Sequence, residues 1–449
     1  MVQRITLLSF SEFFEALIEA FNKQGLRLCV LRNYGSFPAR NAGRDIDLLI
    51  LPTELPRAHI ALQSIRGIQI VGYTERSYVA SFFLSGVSSD SKARSLQIDC
   101  DLSLTWKGLP YLPAQAVLEA AIPRQAGNLT FYTPCSVHEA ILSLLASLLV
   151  GGWLKEKYLP MVQETFTRER SAVIATLSPD FGVKGATRLV DSVIGGDRQK
   201  VLGYVRSLRW SLVLRNCMRR PVRSIWAVCR HHVNEFAFRY SAEILQTVRI
   251  VGLDESEKKA VIEYLIPILQ SSAVLVEERD FRPKSFPSTQ LSSEGESPDL
   301  QTRICRGRFG SVASVLRWLQ REWARQLLGN RNLTLRISGN NYCDLLIAPP
   351  RCGYAGPMWF ARLVGKFFPP TFLWVLLQRD SEKSKSINSE PSSPTILKQR
   401  EAYVSFIRTR RNYVILDTGI ELESIAENAY SAIVDSLARR TGDKLKIRF

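Results

Sequence analysis

Two short strings of the sequence, GRDIDLLI and QIDCDLSL, combine carboxylates with the apolar alternation of β-strands. Residues two apart on a strand leave the same face, so Asp45 and Asp47 point together while the residues between them enter the core. Paired acids on one face attract a divalent cation, and Asp99 and Asp101 offer a third and a fourth carboxylate on a neighbouring strand. Because Mg²⁺ prefers a few carboxylates together with substrate phosphates, the pattern predicts a Mg²⁺ and nucleotide site.

The chemistry of such a site would be phosphoryl or nucleotidyl transfer. Two ions held by these acids could stabilise both the attacking and the leaving oxygen of an in-line displacement. Upstream, Gly35 and Ser36 could form a tight turn whose amides and hydroxyl face the phosphates. A solvated acidic face on an edge strand is the other interpretation of the same aspartates.

This arrangement resembles the nucleotidyltransferase superfamily of the polymerase-beta type. It consists of a Gly-Ser pair, a spacer of eight residues, a strand with the pattern Asp-apolar-Asp-apolar, and a later strand that carries acidic residues. Within this superfamily, about residues 26–160 resemble bacterial nucleotidyltransferase-like proteins encoded among surface-polysaccharide genes. The resemblance is carried by the strings LRNYGSFP, GRDIDLLI, QIDCDLSLTWKGLPYL and LKEKYLP. That family more often has a histidine where Asp101 stands, which makes Asp101 the weaker candidate. The resemblance implies a nucleoside triphosphate substrate, metal ligands and catalytic groups Asp45, Asp47 and Asp99, and phosphate contacts Gly35 and Ser36.

A second candidate is a strand, loop and helix near residues 247–270, the context of a phosphate-binding P-loop. Against G-x-x-x-x-G-K-[ST], Gly252 and Lys258 match, but Glu257 replaces the second glycine and Lys259 the hydroxyl residue. One acid close to a phosphate would cost on the order of 1 to 4 kcal/mol, so ordinary ATP binding is not expected. Lys258 is the candidate contact for a nucleotide or another anion, and the alternative is a lysine at a helix N-terminus without a ligand.

The remainder of the chain resembles the thymidylate-kinase-like P-loop domain that often follows the nucleotidyltransferase-like part in the same polysaccharide-cluster proteins. The strings FRP, YCDLLI, GYAGP, KQREAY and VILD carry this resemblance. An Asp-Arg pair of the family is replaced by Gly339 and Asn340, and an arginine before its Gly-Pro turn by Gly353. These losses, together with the altered loop, imply an inactive pseudokinase that packs, dimerises or recruits a partner.

A basic segment lies between Arg206 and Arg230, with seven arginines and no acidic residue among interleaved Trp and aliphatic residues. The spacing predicts an amphipathic surface helix, which Pro221 would break. Three interpretations stay open: contact with an anionic membrane surface, contact with nucleic acid, and a solvated face beside a joint between domains. Nucleic acid is the less favoured anion, because the sequence has no aromatic ladder or zinc motif that would specify it.

The apolar periodicity predicts an α/β protein in three parts. A nucleotidyltransferase-like domain with a mixed sheet covers residues 1–130, a helical domain covers 131–240, and a kinase-like domain with a parallel sheet covers 241–449. Segments near 283–300 and 381–394, rich in Ser, Pro and charge, are expected to be flexible inserts.

Composition limits the class of protein. The 449 residues carry 59 Lys and Arg against 42 Asp and Glu, a net charge of +17 that favours anionic partners. Eight scattered cysteines without a CxxC pair, with only four histidines, argue against structural zinc. The N-terminus has no cleavage signal and the longest uncharged run is about 15 residues, so we expect a cytoplasmic protein, peripheral at the inner membrane face if the basic segment binds lipid.

Two functions therefore stay open. The first is metal-dependent transfer of a nucleotidyl group to a sugar, sugar phosphate or protein acceptor in surface-polysaccharide biosynthesis, beside an inactive kinase-like domain. The second is a non-catalytic binding or scaffold protein of a glycan-assembly complex at a membrane surface. The polysaccharide context comes from the resemblance, and kinase activity is not expected.

Overall fold

A computed structural model describes residues 7–41, 45–88, 94–240, 245–270, 275–278, 307–328, 334–339, 341–352, 354–379 and 394–449. The chain forms two compact units, an N-terminal unit of Ile5–Ser241 with Arg440–Phe449 and a C-terminal unit of Met1–Arg4 with Ala242–Arg439. The predicted division at residues 130 and 240 stays a prediction. The predicted insert near 283–300 lies outside the described residues, as does all but the last residue of the insert near 381–394.

The strands of the N-terminal unit are short and mostly buried. They are β1 (Leu8–Ser9), β2 (Cys29–Val30), β3 (Asp45–Leu49), β4 (Gln69–Glu75), β5 (Val79–Ser85), β6 (Val87–Ser88), β7 (Ser95–Asp101), β8 (Leu104–Trp106), β9 (Leu109–Leu112), β10 (Ile122–Ala126) and β11 (Leu129–Thr133). Within the described residues, seven of them form a sheet in the order β10-β11-β2-β3-β7-β5-β4. The pairs β3–β7 and β11–β2 are parallel and the others antiparallel, so the predicted mixed sheet is confirmed.

Helices cover both faces of this sheet. They are α1 (Phe10–Lys23), α2 (Leu55–Ser64), α3 (Ala114–Glu119), α4 (Ser136–Val150), α5 (Leu159–Arg168), α6 (Arg170–Phe181), α7 (Val183–Ile194), α8 (Arg198–Gly203), α9 (Val205–Arg219) and α10 (Pro221–Tyr240). The run from α4 to α10 confirms the predicted helical middle region, and it belongs to the N-terminal unit. No helix within the described ranges is both long and apolar enough to cross a bilayer.

The sequence of α1 shows why a helix begins at this point. The Ser9 hydroxyl accepts from the Glu12 amide, and the Glu12 carboxylate accepts from the Ser9 amide in return, which satisfies two helix-end donors. Buried Phe13, Phe14 and Leu17 follow at helical spacing and pack against one face of the sheet. The opposite face of the sheet packs against α4 to α9 in a second core.

The basic segment is two helices. Arg219 ends α9 and Pro221 is the first residue of α10, a position where proline costs no hydrogen bond because that amide has no helical acceptor. The hairpin between β8 and β9 lies directly beneath α10. At Gly108, where φ is +84°, a Cβ atom would lie 2.5 Å from the carbonyl oxygen of Ala227, so only glycine permits this approach.

The C-terminal unit has a parallel sheet, as predicted. Its strands are β12 (Leu245–Val251), β13 (Leu275–Glu278), β14 (Thr334–Ser338), β15 (Leu373–Gln378) and β16 (Tyr413–Asp417). In the described part of the chain these five form one sheet in the order β13-β14-β12-β15-β16, with every pair parallel. Its helices are α11 (Glu255–Gln270), α12 (Arg308–Leu328), α13 (Tyr342–Ile347), α14 (Met358–Gly365), α15 (Pro394–Arg408) and α16 (Leu422–Arg448), the last of which continues into the residues of the N-terminal unit.

Candidate metal centre

The aspartates of the first two acidic strings lie on the adjacent parallel strands β3 and β7, where Asp47 is opposite Asp99 in the register. Ile46 and Leu48 are buried in the core beneath α1, because successive side chains on a strand alternate between faces. The aspartates leave the opposite face, which also carries Leu49 and packs against the helices.

The structure brings Asp45, Asp47 and Asp99 together. One carboxylate oxygen from each lies within 4.8 Å of the other two. Mg²⁺ holds oxygens at 2.0–2.1 Å, so opposite ligands stand about 4.2 Å apart. The donor set therefore fits one hard divalent cation after a small movement of the side chains.

Arg32 forms the main charge contact of this group, and it was not among the site residues expected from the sequence. Its Nε donates to Asp47 Oδ2 at 2.5 Å and its Nη2 to Asp47 Oδ1 at 2.8 Å. This bidentate contact raises the pKa of Arg32, although burial opposes the rise. Asp47 is 4% exposed, so the guanidinium balances a buried carboxylate. The only sequence signal was an arginine directly after a short strand in LRNYGSFP.

The two acids of β7 differ in their surroundings. Asp99 accepts from Gln97 Nε2 at 2.8 Å, and burial raises its pKa although hydrogen bonds from Gln97 and Ser81 lower it. Burial also raises the pKa of Asp101, to about 7, with a contribution from the charge of Asp47. Asp101 is not part of the three-carboxylate group found among the described residues.

The predicted phosphate-binding turn is a single 3₁₀ turn, Tyr34–Ser36, after β2. Ser36 Oγ donates to the carbonyl oxygen of Arg40 at 2.8 Å, so its hydroxyl hydrogen is used within the loop. A Cβ at Gly35 would meet nothing within 4 Å, which means that packing does not require glycine at this position. Phosphate binding by Gly35 and Ser36 stays a prediction.

Two lysines of the LKEKYLP string lie on the same side as the carboxylates. Asn33 Oδ1 accepts from Lys157 Nζ at 3.2 Å and from the Tyr158 hydroxyl at 3.0 Å, which ties this string to the residue after Arg32. Burial lowers the pKa of Lys155, as do the charges of Arg32 and Lys157, while Asp47 and Asp45 oppose that change. Basic side chains thus stand beside the acidic group, the combination that a metal-bound polyphosphate requires.

In the C-terminal unit, the carboxylate of Asp254 lies at the N-terminal end of α11, where a P-loop would bind phosphate. Asp254 Oδ1 accepts from the Ser256 amide at 2.9 Å, the Ser256 hydroxyl at 2.6 Å and the Glu257 amide at 3.3 Å. These amides are the donors that an anion at a helix N-terminus would use. The chain therefore caps this helix with its own acid.

Lys258 is 1% exposed and lies between two acids of the same unit. Its Nζ is 2.9 Å from Glu255 Oε1 and 3.9 Å from Asp344 Oδ2. Asp344 also accepts from the Tyr403 hydroxyl at 2.6 Å and from the Asn341 amide at 2.9 Å. The charge of Lys258 is thus balanced inside the protein. Of the residues that replace the kinase-like motifs, Gly339 is described, whereas Asn340 and Gly353 lie outside the described residues.

No protein-family model matches the chain, and no curated protein matches it either. Neither comparison shows a family. Among solved structures, thymidylate kinase from Candida albicans is similar at 12% identity and a TM-score of 0.28, over 43% of this chain and 92% of that one. The similarity concerns part of the chain and assigns no activity to it.

Proposed function

We propose that the N-terminal unit is a metal-dependent nucleotidyltransferase of surface-polysaccharide biosynthesis, and that the C-terminal unit is a kinase-like domain without phosphate-binding chemistry. The observation that carries the proposal is the convergence of Asp45, Asp47 and Asp99 on two adjacent strands. The polysaccharide context rests on the sequence resemblance. The Asp254 cap on α11 supports the assignment of the C-terminal unit.

In this proposal Asp45, Asp47 and Asp99 hold Mg²⁺. When bound, Mg²⁺ would offset the charge of the triphosphate and orient its α-phosphorus. The acceptor hydroxyl oxygen attacks that phosphorus, the bond from the α-phosphorus to the α,β-bridging oxygen breaks, and pyrophosphate leaves. Asp99 takes the hydroxyl proton as general base. Lys155 and Lys157 contact the phosphates.

The test is calorimetric titration of the four nucleoside triphosphates, with and without Mg²⁺. We expect Mg²⁺-dependent binding to the wild type and a loss of at least about 100-fold in affinity in Asp45→Asn/Asp47→Asn, because two of three metal ligands lose their charge. The matched control, Glu119→Gln/Glu164→Gln, removes two exposed acids of the same unit and should bind like the wild type. Undiminished Mg²⁺-dependent binding in the aspartate variant would refute the site.

A second function, a non-catalytic scaffold, is favoured by the Arg32–Asp47 contact. In that case Arg32 neutralises Asp47 permanently and takes the place of a cation. The wild type would then bind no nucleotide with Mg²⁺, and Arg32→Gln would gain affinity for Mn²⁺, measured by electron paramagnetic resonance, because Asp47 is freed.

The surface of α9 and α10 supports placing such a scaffold on an anionic membrane. Eight arginines and one acid, Glu235, lie within residues 205–240, which span α9 and α10, so the segment complements a negative lipid surface. Large apolar side chains point to solvent on the same two helices: Trp210, Leu214 and Met218 on α9, and Val222, Ile225, Trp226, Val233 and Phe236 on α10. On α10 they recur at helical spacing and form one stripe.

Sedimentation with vesicles tests this surface. We expect the protein to bind vesicles of phosphatidylcholine with phosphatidylglycerol, and Trp210→Ser/Met218→Ser to bind about tenfold more weakly, because Trp210 and Met218 are 66% and 81% exposed and free to enter the interface. Ile60→Ser/Val183→Ser removes two exposed apolar residues of the same unit elsewhere and should leave binding unchanged. An equal loss in both variants would contradict a specific membrane surface.

A further inference from the structure

The N-terminal unit contains a cavity of about 1090 Å³ that is separate from the acidic group. Its walls are the end of β4, the β8–β9 hairpin, the end of α6, the junction of α9 and α10, and the last two residues of the chain. None of Asp45, Asp47 and Asp99 is among the described residues that line it. The volume is at the upper end of the range of pockets for small molecules.

Positive charge dominates the lining. Its arginines are Arg76, Arg219, Arg220, Arg223, Arg230 and Arg448, against the acids Glu75 and Asp180 within the described lining. Each acid is already paired, since Arg448 donates to both oxygens of Glu75 at 2.7 and 2.9 Å, and Arg219 approaches Asp180 at 3.5 Å. Four arginines therefore remain in excess of the acids.

Arg220 and Arg223 are the cations most available to a ligand. Both are exposed, and neither forms a salt bridge with another described residue. They flank Pro221, where the 20-residue helix α10 begins, so the partial positive charge of the helix N-terminus adds to theirs. Arg230, two turns further along α10, lies close enough for its charge to act on Glu75.

A neutral polar group in the lining also lacks a partner. His138 Nδ1 is buried and has no hydrogen-bond partner among the described residues. Burial lowers the pKa of His138, so the ring is neutral at physiological pH and offers one donor and one acceptor. This atom has almost no accessible surface, so His138 belongs to the packing behind the cavity wall and not to the groups that contact a ligand.

The cavity is held open by contacts that do not need a ligand. Gly108 supports α10 through its close approach to Ala227, and His231 Nδ1 is hydrogen-bonded to Ser77 Oγ at 2.8 Å. Apolar residues also line the cleft, Leu55, Leu109, Pro110 and Leu112 among them, together with polar ones such as Ser77, Thr105 and Asn216. A preformed cleft lined by arginines and by apolar residues fits a small molecule that has an anionic and an uncharged part.

We propose that this cavity binds a small pyrophosphate ester, with its phosphates on Arg220, Arg223 and Arg230 and its uncharged part against the apolar wall. Arginine suits this ligand because its planar fork donates two hydrogen bonds to one phosphate. The arginines line one concave cleft, which favours a compact ligand over an anionic polymer. The site is independent of the nucleotidyl transfer proposed for the acidic group.

The test is calorimetry with inorganic pyrophosphate, inorganic phosphate and geranyl diphosphate in EDTA, which removes metal-dependent binding at the acidic group. We expect pyrophosphate to bind more tightly than phosphate, and geranyl diphosphate more tightly still because its chain meets the apolar wall. Arg220→Gln/Arg223→Gln should weaken pyrophosphate binding at least about tenfold, with thermal unfolding unchanged because both side chains are exposed. Arg230→Gln should also weaken pyrophosphate binding.

The controls separate this site from general electrostatics. Arg188→Gln/Arg206→Gln removes two exposed arginines of the same unit that do not line the cavity, and it should bind pyrophosphate like the wild type. Asp45→Asn/Asp47→Asn should also bind it normally. An equal loss in the two arginine pairs, a loss in the aspartate variant, or no pyrophosphate binding by the wild type would each overturn the proposal. If geranyl diphosphate binds no more tightly than pyrophosphate, the apolar part of the assignment is wrong.

Discussion

Replacement of Lys258 by methionine is expected to destabilise the C-terminal unit by about 3–5 kcal/mol, because it leaves a buried carboxylate without its cation. Burial opposes the charge of Lys258, but Asp344 and Glu255 outweigh it and raise the lysine pKa. Since the folded-state pKa is raised, this stabilisation is fully present below the unfolded value of about 10.4 and is lost as the pH rises through the folded value. The measurement is urea unfolding at neutral pH, with the transition of the C-terminal unit followed separately.

The neighbouring lysine provides the control. Lys259 is exposed and pairs with Glu263 at 3.6 Å, so Lys259→Met should cost no more than about 0.5 kcal/mol. Adding Asp344→Asn to Lys258→Met should recover part of the lost stability, because the double variant no longer buries an unpaired charge. A stable Lys258→Met protein that has lost nucleotide binding would instead make Lys258 a phosphate ligand.

Replacement of Asp99 by asparagine is expected to slow nucleotidyl transfer by about 10²–10⁴-fold, the usual contribution of a general base. The assay is release of pyrophosphate from the nucleoside triphosphate in the presence of sugar-phosphate acceptors. The affinity of the variant for the Mg²⁺ nucleotide should also fall, because Asp99 is one of the three proposed metal ligands, but it should fall by less than the rate.

Asp101 provides the control variant for the Asp99→Asn experiment. It is on the same strand, two residues further on, and is not part of the three-carboxylate group of the described residues. Asp101→Asn should retain the rate to within about tenfold, a change typical of a nearby charge and not of a missing base. If Asp101→Asn loses as much activity as Asp99→Asn, Asp101 is the base and the assignment of Asp99 is wrong.

Local patterns were enough to predict the architecture. Alternation along β3 and β7 predicted which side chains enter the core, and burial of Ile46 and Leu48 agrees with it. Spacing by three and four predicted the helices of the middle region, and strand-helix alternation predicted the parallel sheet of the C-terminal unit. Each of these features depends on how often apolar residues recur within a single helix or strand, and this spacing can be read directly from the sequence.

The partners of the charged residues were not predictable in this way. Arg32, just after β2, reaches Asp47 on the adjacent strand β3, and Lys258 meets Asp344, which is 86 residues further along the chain. For the basic segment that contains Arg220 and Arg223, the sequence left a membrane surface, nucleic acid and solvent open, and it did not predict a cavity.

The sequence by itself thus determined part of the strands, most of the middle helices and the alternation of side chains along β3 and β7, but not β4, β5, β10 and β11 of the described seven-stranded sheet. Only the tertiary structure decided which of those faces meet: that three carboxylates converge with Arg32, that Asp254 caps α11, and that arginines of α9 and α10 enclose a cavity with Arg448. The physical reason is that periodicity records how one element divides between core and solvent, whereas contacts between distant elements depend on the packing of the whole unit.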